Sequence, residues 1–241
     1  MYRGLSVIAI APVYNEEKLV SEVIRRTPRD VVDELLVVDD GCTDRSPEIA
    51  REMGASVLPL GRLVGLGAAL RAGYGYAARK SYDVAVVMAG NNKDSPEEIP
   101  LLLDPIADGV ADFVQGSRYL KAGADLGDMP VYRRLATRVH PLVFSLVARR
   151  RVTESTNGFR AVSVKVISDP RINLAQSWLD HYELEQYLYI SAIRLGYRTT
   201  EVPVTKVYPP RSQGKQSKVK PITGWWSMLR PLVYLGLGIK K

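Results

Sequence analysis

Residues 5–11 form an apolar run that stops at Pro12, and residues 34–39 (ELLVVD) form a second that ends in acids and Gly41. Continuous rather than alternating apolarity predicts strands buried on both faces, as in a parallel sheet. Between them, residues 16–27 set Leu19, Val20, Val23 and Ile24 at helical spacing and close at Pro28. Residues 44–53 predict a short helix ended by Gly54, 56–60 a third strand, 65–79 a helix and 84–88 a fourth strand. This β-α-β-α-β-α-β order belongs to a doubly wound sheet, which binds ligands at the carboxyl ends of its strands.

The second half is less regular. Residues 97–108 predict a helix and 112–116 a strand running into GSRY, followed by a basic stretch over 132–151 that predicts one helix broken near Pro141. Short strands are expected at 161–167 and 198–204, flanking a helix over 182–195 that stops at Gly196. Residues 208–220, rich in Pro, Gly, Ser and Lys, predict a mobile loop. No internal repeat or dividing linker occurs, so the expectation is one domain over 1–220 with an appendage over 221–241.

Composition narrows the classes. The chain has 241 residues, 46% of them hydrophobic, enough for a sizeable core. Its formal charge of +7 favours anionic partners such as nucleotides, nucleic acid or an acidic membrane surface. The basic residues are not interleaved with a stacking or groove-reading motif, which argues against nucleic acid. A single cysteine, Cys42, excludes an internal disulfide framework and fits a reducing cytoplasm. The apolar start is too brief for a secretory leader, and no run of about 20 apolar residues suggests a membrane span. The final residues differ: GWWSMLRPLVYLGLGIKK joins Trp225 and Trp226 to an apolar run and terminal lysines, which suits either an amphipathic segment in the headgroup region or docking on protein.

Three stretches, APVYNEE after the first strand, VVDDGCTDRS after the second and GLGAALRAGYGYA before the fourth, resemble the nucleotide half of the family-2 glycosyltransferases. DFVQGSRY, STNGFRAVS, GYRTTEVPV and QGKQSKVKP follow in order and make the chain most similar to polyprenyl-phosphate sugar synthases of the dolichyl-phosphate mannose synthase type. The resemblance covers residues 5–220 and implies the α/β GT-A fold, a Rossmann-like, mostly parallel sheet flanked by helices. It further implies an inverting transfer of a sugar from a UDP-, GDP- or dTDP-linked donor to a polyprenyl phosphate at the cytoplasmic membrane face.

For the donor, the loop from Pro12 can set Tyr14 against a base or sugar ring and Glu16 and Glu17 near ribose hydroxyls, and Asp39 and Asp40 are acceptors for nucleobase N–H groups. Helix capping is the competing role for Asp40 and Asp44. Gly65 and Gly67 permit close approach at a helix start, which suits a phosphate or an ordinary turn. Lys218, with Arg211 and Lys215, lies in the loop that would close over the donor.

The resembled synthases end the fourth strand in D-x-D-x-Q, which holds a divalent metal. Here VVMAGNNKDSPEE places Ala89 and Asn91 at the two acids and Lys93 at the glutamine. Mg²⁺ or Mn²⁺ wants carboxylate oxygens, so either no metal is required, with Lys93 as a fixed cation, or a weak one sits on Asp94 and Asn91 in a shifted register. An inactive nucleotide-sugar-binding protein is the third reading.

On the acceptor side the resemblance assigns Arg118 and Arg133 or Arg134 to the phosphate, with Asn157, Arg160 and Arg211 nearby. A phosphate monoester needs no strong base. A soluble or glycan hydroxyl does, and Glu183 or Glu185 in HYELEQ would supply it.

Overall fold

The computed structural model describes residues 1–120, 126–208 and 223–240. Seven strands form one sheet in the order β3-β2-β1-β4-β6-β5-β7. They are β1 (Val7–Val13), β2 (Glu34–Asp39), β3 (Ser56–Pro59), β4 (Val84–Val87), β5 (Phe113–Ser117), β6 (Arg160–Ser163) and β7 (Thr199–Pro203). Only β6 runs antiparallel to its neighbours. The carboxyl ends of the other strands therefore share one edge, and Arg160, where β6 begins, pairs there with Val87 and Gln115.

The helices are α1 (Val20–Arg26), α2 (Ser46–Glu52), α3 (Leu66–Arg79), α4 (Ile99–Ala107), α5 (Val131–Ala148), α6 (Val164–Ile167), α7 (Glu183–Arg194) and α8 (Thr223–Gly236). Alternate residues of each central strand serve opposite layers. Ile8, Ile10, Leu36, Val38, Ala85 and Val87 face a core with Leu70, Phe144 and Leu188 from α3, α5 and α7. Val7, Ala9, Leu35, Val37, Val84 and Val86 face the other, with Val23, Ala50 and Leu102 from α1, α2 and α4. Both faces are covered, which is why the strands read as unbroken apolar runs.

Two expected elements come out differently. Residues 161–167 split into strand up to Ser163 and a helical turn, α6, beginning at Val164. Helix α5 continues through Pro141 instead of breaking there. Its inner face, with Thr137, His140, Pro141, Phe144 and Ala148, is buried, and the Ser145 hydroxyl donates to the Pro141 carbonyl at 2.6 Å. Packing along that face offsets the one hydrogen bond that proline removes. Glu16–Leu19 forms a turn, with Leu19 and Val20 N–H groups on the Glu16 carbonyl, before α1 begins.

The terminal helix α8 packs on α7 and α5 through Met228, Leu232 and Leu235. Buried His140 bridges α5 to it: Nε2 lies 3.2 Å from the Met228 carbonyl and must donate, so Nδ1 accepts from the Ser155 hydroxyl at 2.8 Å. Burial lowers the His140 pKa, which favours this neutral form. Trp226, Leu229 and Val233 lie on the exposed side of α8. The expected loop after Tyr208 lies outside the described residues, apart from Tyr208 itself.

Candidate active site

The loop after β1 is stitched to the loop after β2. Asn15, held at a φ of 51°, accepts the Thr43 N–H at 2.8 Å and donates to the Thr43 hydroxyl at 3.1 Å, while the Glu16 N–H meets the Ser46 hydroxyl at 2.8 Å. Asp44 accepts from the Ser46 N–H at 3.0 Å and the Ser46 hydroxyl at 2.6 Å, just ahead of α2, whose cap position is Arg45. Pro12, Tyr14 and Glu16 stay half-buried along this edge. Asp39 has one oxygen on the Cys42 N–H at 2.7 Å. Burial drives the pKa of that cysteine up to about 12, so it has no thiolate character at neutral pH.

Asp40 and the glycines depart from the ligand roles expected of them. The Asp40 carboxylate is buried and accepts from Val64 N–H at 2.8 Å and Gly65 N–H at 3.1 Å, so it braces the approach to α3 instead of facing a base. Gly65 and Gly67 do receive a close backbone, but it is the chain's own. A Cβ on Gly67 would lie 1.9 Å from the Leu179 carbonyl oxygen, and one on Gly65, at a φ of +107°, would lie 2.5 Å from that of Asp180. The Ala68 N–H donates to the Asp180 carbonyl at 3.1 Å. That carbonyl holds the helix start where a phosphate was expected.

The segment after β4 is held from two sides. Arg26 binds Glu97 at 2.7 and 2.8 Å and the Asn92 side-chain oxygen at 2.7 Å, fixing Asn92 at a φ of 55°. Opposite, Glu98 clamps the N–H and hydroxyl of Thr205, each at 2.6 Å, and the Val207 N–H reaches the Lys93 carbonyl at 3.0 Å. The chain leaving β7 is thereby laid antiparallel to residues 93–95, bridging Asp94 to Lys206.

Lys206 is the main site residue that sequence reasoning missed. Its buried ammonium lies 2.5 Å from Asp94 Oδ1 and 2.9 Å from Asn157 Oδ1. Asp94 Oδ2 accepts the Ala89 N–H at 2.9 Å. For the weak-metal arrangement on Asp94 and Asn91, both Asp94 oxygens are engaged, one by a cation, while Asn91 Oδ1 is buried with no hydrogen-bond partner among the described residues. Among the described residues no group of three or more His, Cys, Asp or Glu side chains could hold a metal ion.

Lys93 and Arg133 both lie over the Tyr208 ring, at 5.2 and 5.5 Å from its centroid. Burial, and after it the positive charges of Lys206 and Arg133, lower the Lys93 pKa to about 8, with Glu16 and Asp94 acting against them. The structure therefore brings Glu16, Lys93, Asp94, Arg133 and Lys206 together. Arg133 Nε is buried with no hydrogen-bond partner among the described residues. Arg134 is exposed and donates to the Gly127 carbonyl at 3.0 Å.

Arg118 approaches the same tyrosine from beneath, 3.4 Å from its hydroxyl, but is only 2% exposed and binds Glu154 through Nε at 2.6 Å. Asn157 and Arg160 do not open toward an acceptor. Asn157 is spent on Lys206 and the Gly116 carbonyl, and Arg160 on Glu185 and the Asn157 carbonyl. Glu183, the expected base for a hydroxyl acceptor, is buried, receives the His181 N–H and pairs with Arg230 at 2.5 Å. Glu185 is likewise tied to Arg160. Arg211, Lys215 and Lys218 lie outside the described residues.

A doubly wound sheet with one reversed strand, and charged residues gathered at its carboxyl edge from the chain leaving β1, β4, β5 and β7, match the GT-A class of nucleotide-sugar transferases. The chain matches Glycosyl transferase family 2 over residues 8–169 and belongs to that family; it is a glycosyltransferase. It is 30% identical to an undecaprenyl-phosphate mannosyltransferase of Micrococcus luteus over 88% of each chain. It is 32% identical to a dolichyl-phosphate hexose transferase of Haloferax volcanii over 88% of this chain and 85% of the relative. Among solved structures, a glucosyl-3-phosphoglycerate synthase from Mycobacterium tuberculosis, in complex with Mn²⁺, UDP and phosphoglyceric acid, shares the fold at a TM-score of 0.67 and 23% identity, covering 95% of this chain and 79% of the other.

Proposed function

We propose that this chain moves a sugar from a nucleoside diphosphate donor to a polyprenyl phosphate, with inversion, at the surface of an anionic membrane. The observation that carries this reading is helix α5, which serves the site and an apolar surface at once. From its first turn Arg133 reaches the Tyr208 ring, over which Lys93 also lies. Along its outer side Val131, Leu135, Val139, Leu142 and Leu146 recur at helical spacing and are 46–80% exposed. An apolar face of this extent is unusual unless it meets lipid or protein. Arg138, Arg149, Arg150 and Arg151 border it, lining with Leu142 and Leu146 an open groove of about 650 Å³. Basic residues beside an apolar helix face complement acidic headgroups. Trp226, Leu229 and Val233 of α8 add a second exposed apolar strip. No described helix is long and apolar enough to cross a membrane, so contact with lipid would be peripheral.

In this reading the acceptor phosphate oxygen attacks the anomeric carbon directly, the bond to the donor diphosphate breaks, and the configuration inverts. A phosphate monoester is already ionised near neutral pH, so no protein base is needed. The pairing of Glu183 with Arg230 and of Glu185 with Arg160 favours such an acceptor over a neutral hydroxyl, which would need a free carboxylate. Lys93 and Arg133 stabilise phosphate charge. Glu16, Tyr14 and Asp39 remain the donor-side candidates.

The test pairs UDP-, GDP- and dTDP-sugars with a polyprenyl phosphate in anionic vesicles, phosphoglycerate, or a soluble glycan, and reads the anomeric configuration of the product by NMR. Lipid-linked product of inverted configuration is expected. Turnover with a soluble acceptor alone would sink the lipid assignment, and donor binding without turnover for every acceptor would make the chain a binding protein.

A further inference from the structure

We propose that the ammonium of Lys206 stands in this chain where the resembled synthases place a divalent cation, so that the carboxyl-edge basic cluster binds a diphosphate without metal. The donor set motivates it. The positions of the two expected acids carry Ala89 and Asn91, and the nearby carboxylate, Asp94, folds back until one oxygen meets the Ala89 N–H at 2.9 Å and the other meets Lys206 at 2.5 Å. A third contact, 2.9 Å to Asn157 Oδ1, fixes the ammonium, which is 8% exposed.

The surrounding charge points the same way. Among the described residues that act most strongly on Lys93, the cations Lys206 and Arg133 outweigh the carboxylates Glu16 and Asp94, so with Lys93 itself positive charge is in excess. A divalent cation entering would meet that excess, whereas a diphosphate would neutralise it. Two of these cations share one face partner, Tyr208, and Arg133 Nε is a buried donor with no partner among the described residues. Buried donors of this kind are normally satisfied, and an anionic oxygen would satisfy it.

The identity of the diphosphate as a sugar donor rests on the function proposed above; the charge argument does not. Inorganic pyrophosphate, which carries neither base nor sugar, is therefore the probe. Calorimetry on the full chain is expected to give the same pyrophosphate affinity in excess EDTA as in Mn²⁺, and electron paramagnetic resonance to find all added Mn²⁺ free. Lys206→Gln keeps a donor for Asp94 and Asn157 but removes the charge; its affinity in EDTA should fall roughly tenfold or more. That variant should also begin to take up Mn²⁺, because a carboxylate has been released. If Lys206→Gln does not fold, Asp94→Asn/Lys206→Gln removes both charges of the pair and must still show no Mn²⁺ uptake. Pyrophosphate binding that requires Mn²⁺ in the wild type, or no binding in EDTA, or an unchanged Lys206→Gln affinity, overturns the proposal. Metal-free pyrophosphate binding without turnover of any sugar donor would instead sink the proposed function and leave this inference standing.

Discussion

Arg118→Met separates an arginine held for the fold from one held only for a ligand. The guanidinium and Glu154 meet at 2.6 Å with side chains 1% and 0% exposed. The other Glu154 oxygen accepts from the Ser155 and Thr156 N–H groups at 3.0 and 2.8 Å and from the Thr156 hydroxyl at 2.8 Å. Removing Arg118 leaves a carboxylate with neutral donors but no counter-charge in a site shut off from water, a loss of about 3–5 kcal/mol. For a chain of this size, where each kcal/mol moves the midpoint by about 2–4 °C, the melting temperature should fall by roughly 6–20 °C. Glu154→Gln strands the guanidinium instead and should lose a comparable amount. The double variant Arg118→Met/Glu154→Gln should lose less than the sum, because no bare charge remains. Differential scanning calorimetry of the four proteins reads all of this. An Arg118→Met protein within about 1 kcal/mol of wild type would refute the reasoning, since the arginine would then behave as a solvated side chain. In that event a selective loss of acceptor use would restore the simple phosphate-gripping role.

Four further outcomes are expected. Gly67→Ala should cost at least about 1–3 kcal/mol by chemical denaturation, because its Cβ would sit 1.9 Å from the Leu179 carbonyl oxygen; an unchanged midpoint would mean that α3 and residues 179–181 are not in contact. With its pKa lowered to about 8 by burial and by the charges of Lys206 and Arg133, against Glu16 and Asp94, Lys93 loses its proton as pH rises past 8; between neutral pH and pH 9.5 wild-type pyrophosphate affinity should therefore fall roughly thirtyfold relative to that of Lys93→Met, which shares only the ligand's own ionisation. The linked stability runs the other way: the folded pKa lies below the unfolded one, so the Lys93 contribution is least below pH 8 and grows up to about 10.5, readable in denaturant midpoints across that range. Leu142→Glu and Leu146→Glu, at outward positions of α5, should leave stability within about 0.5 kcal/mol and yet reduce co-sedimentation with anionic vesicles; undiminished sedimentation would move the lipid contact elsewhere.

Local pattern determined the strands and most helices of this protein. Residues 34–39 could be read as a buried strand because both faces of a parallel sheet are covered, and its observed bounds are the expected ones. Pro141 misled for the converse reason: a proline's intrinsic cost is local, but the packed face that offsets it is assembled from distant residues. Gly65 and Gly67 announced a close approach without naming what approaches, and only the path of residues 179–181 decided for backbone over phosphate. The missing acids at Ala89 and Asn91 were legible one residue at a time. Their counterpart was not, because Lys206 stands 112 residues beyond Asp94 and nothing around it signals a partner. Opposite charges find each other through the sheet edge that aligns the exit of β7 with the exit of β4, and such register exists only once the chain has folded. Resemblance singled out Arg118, Asn157 and Arg160, and chemical type singled out Glu183, as candidates, whereas burial and pairing, which are tertiary quantities, decided what each is free to bind.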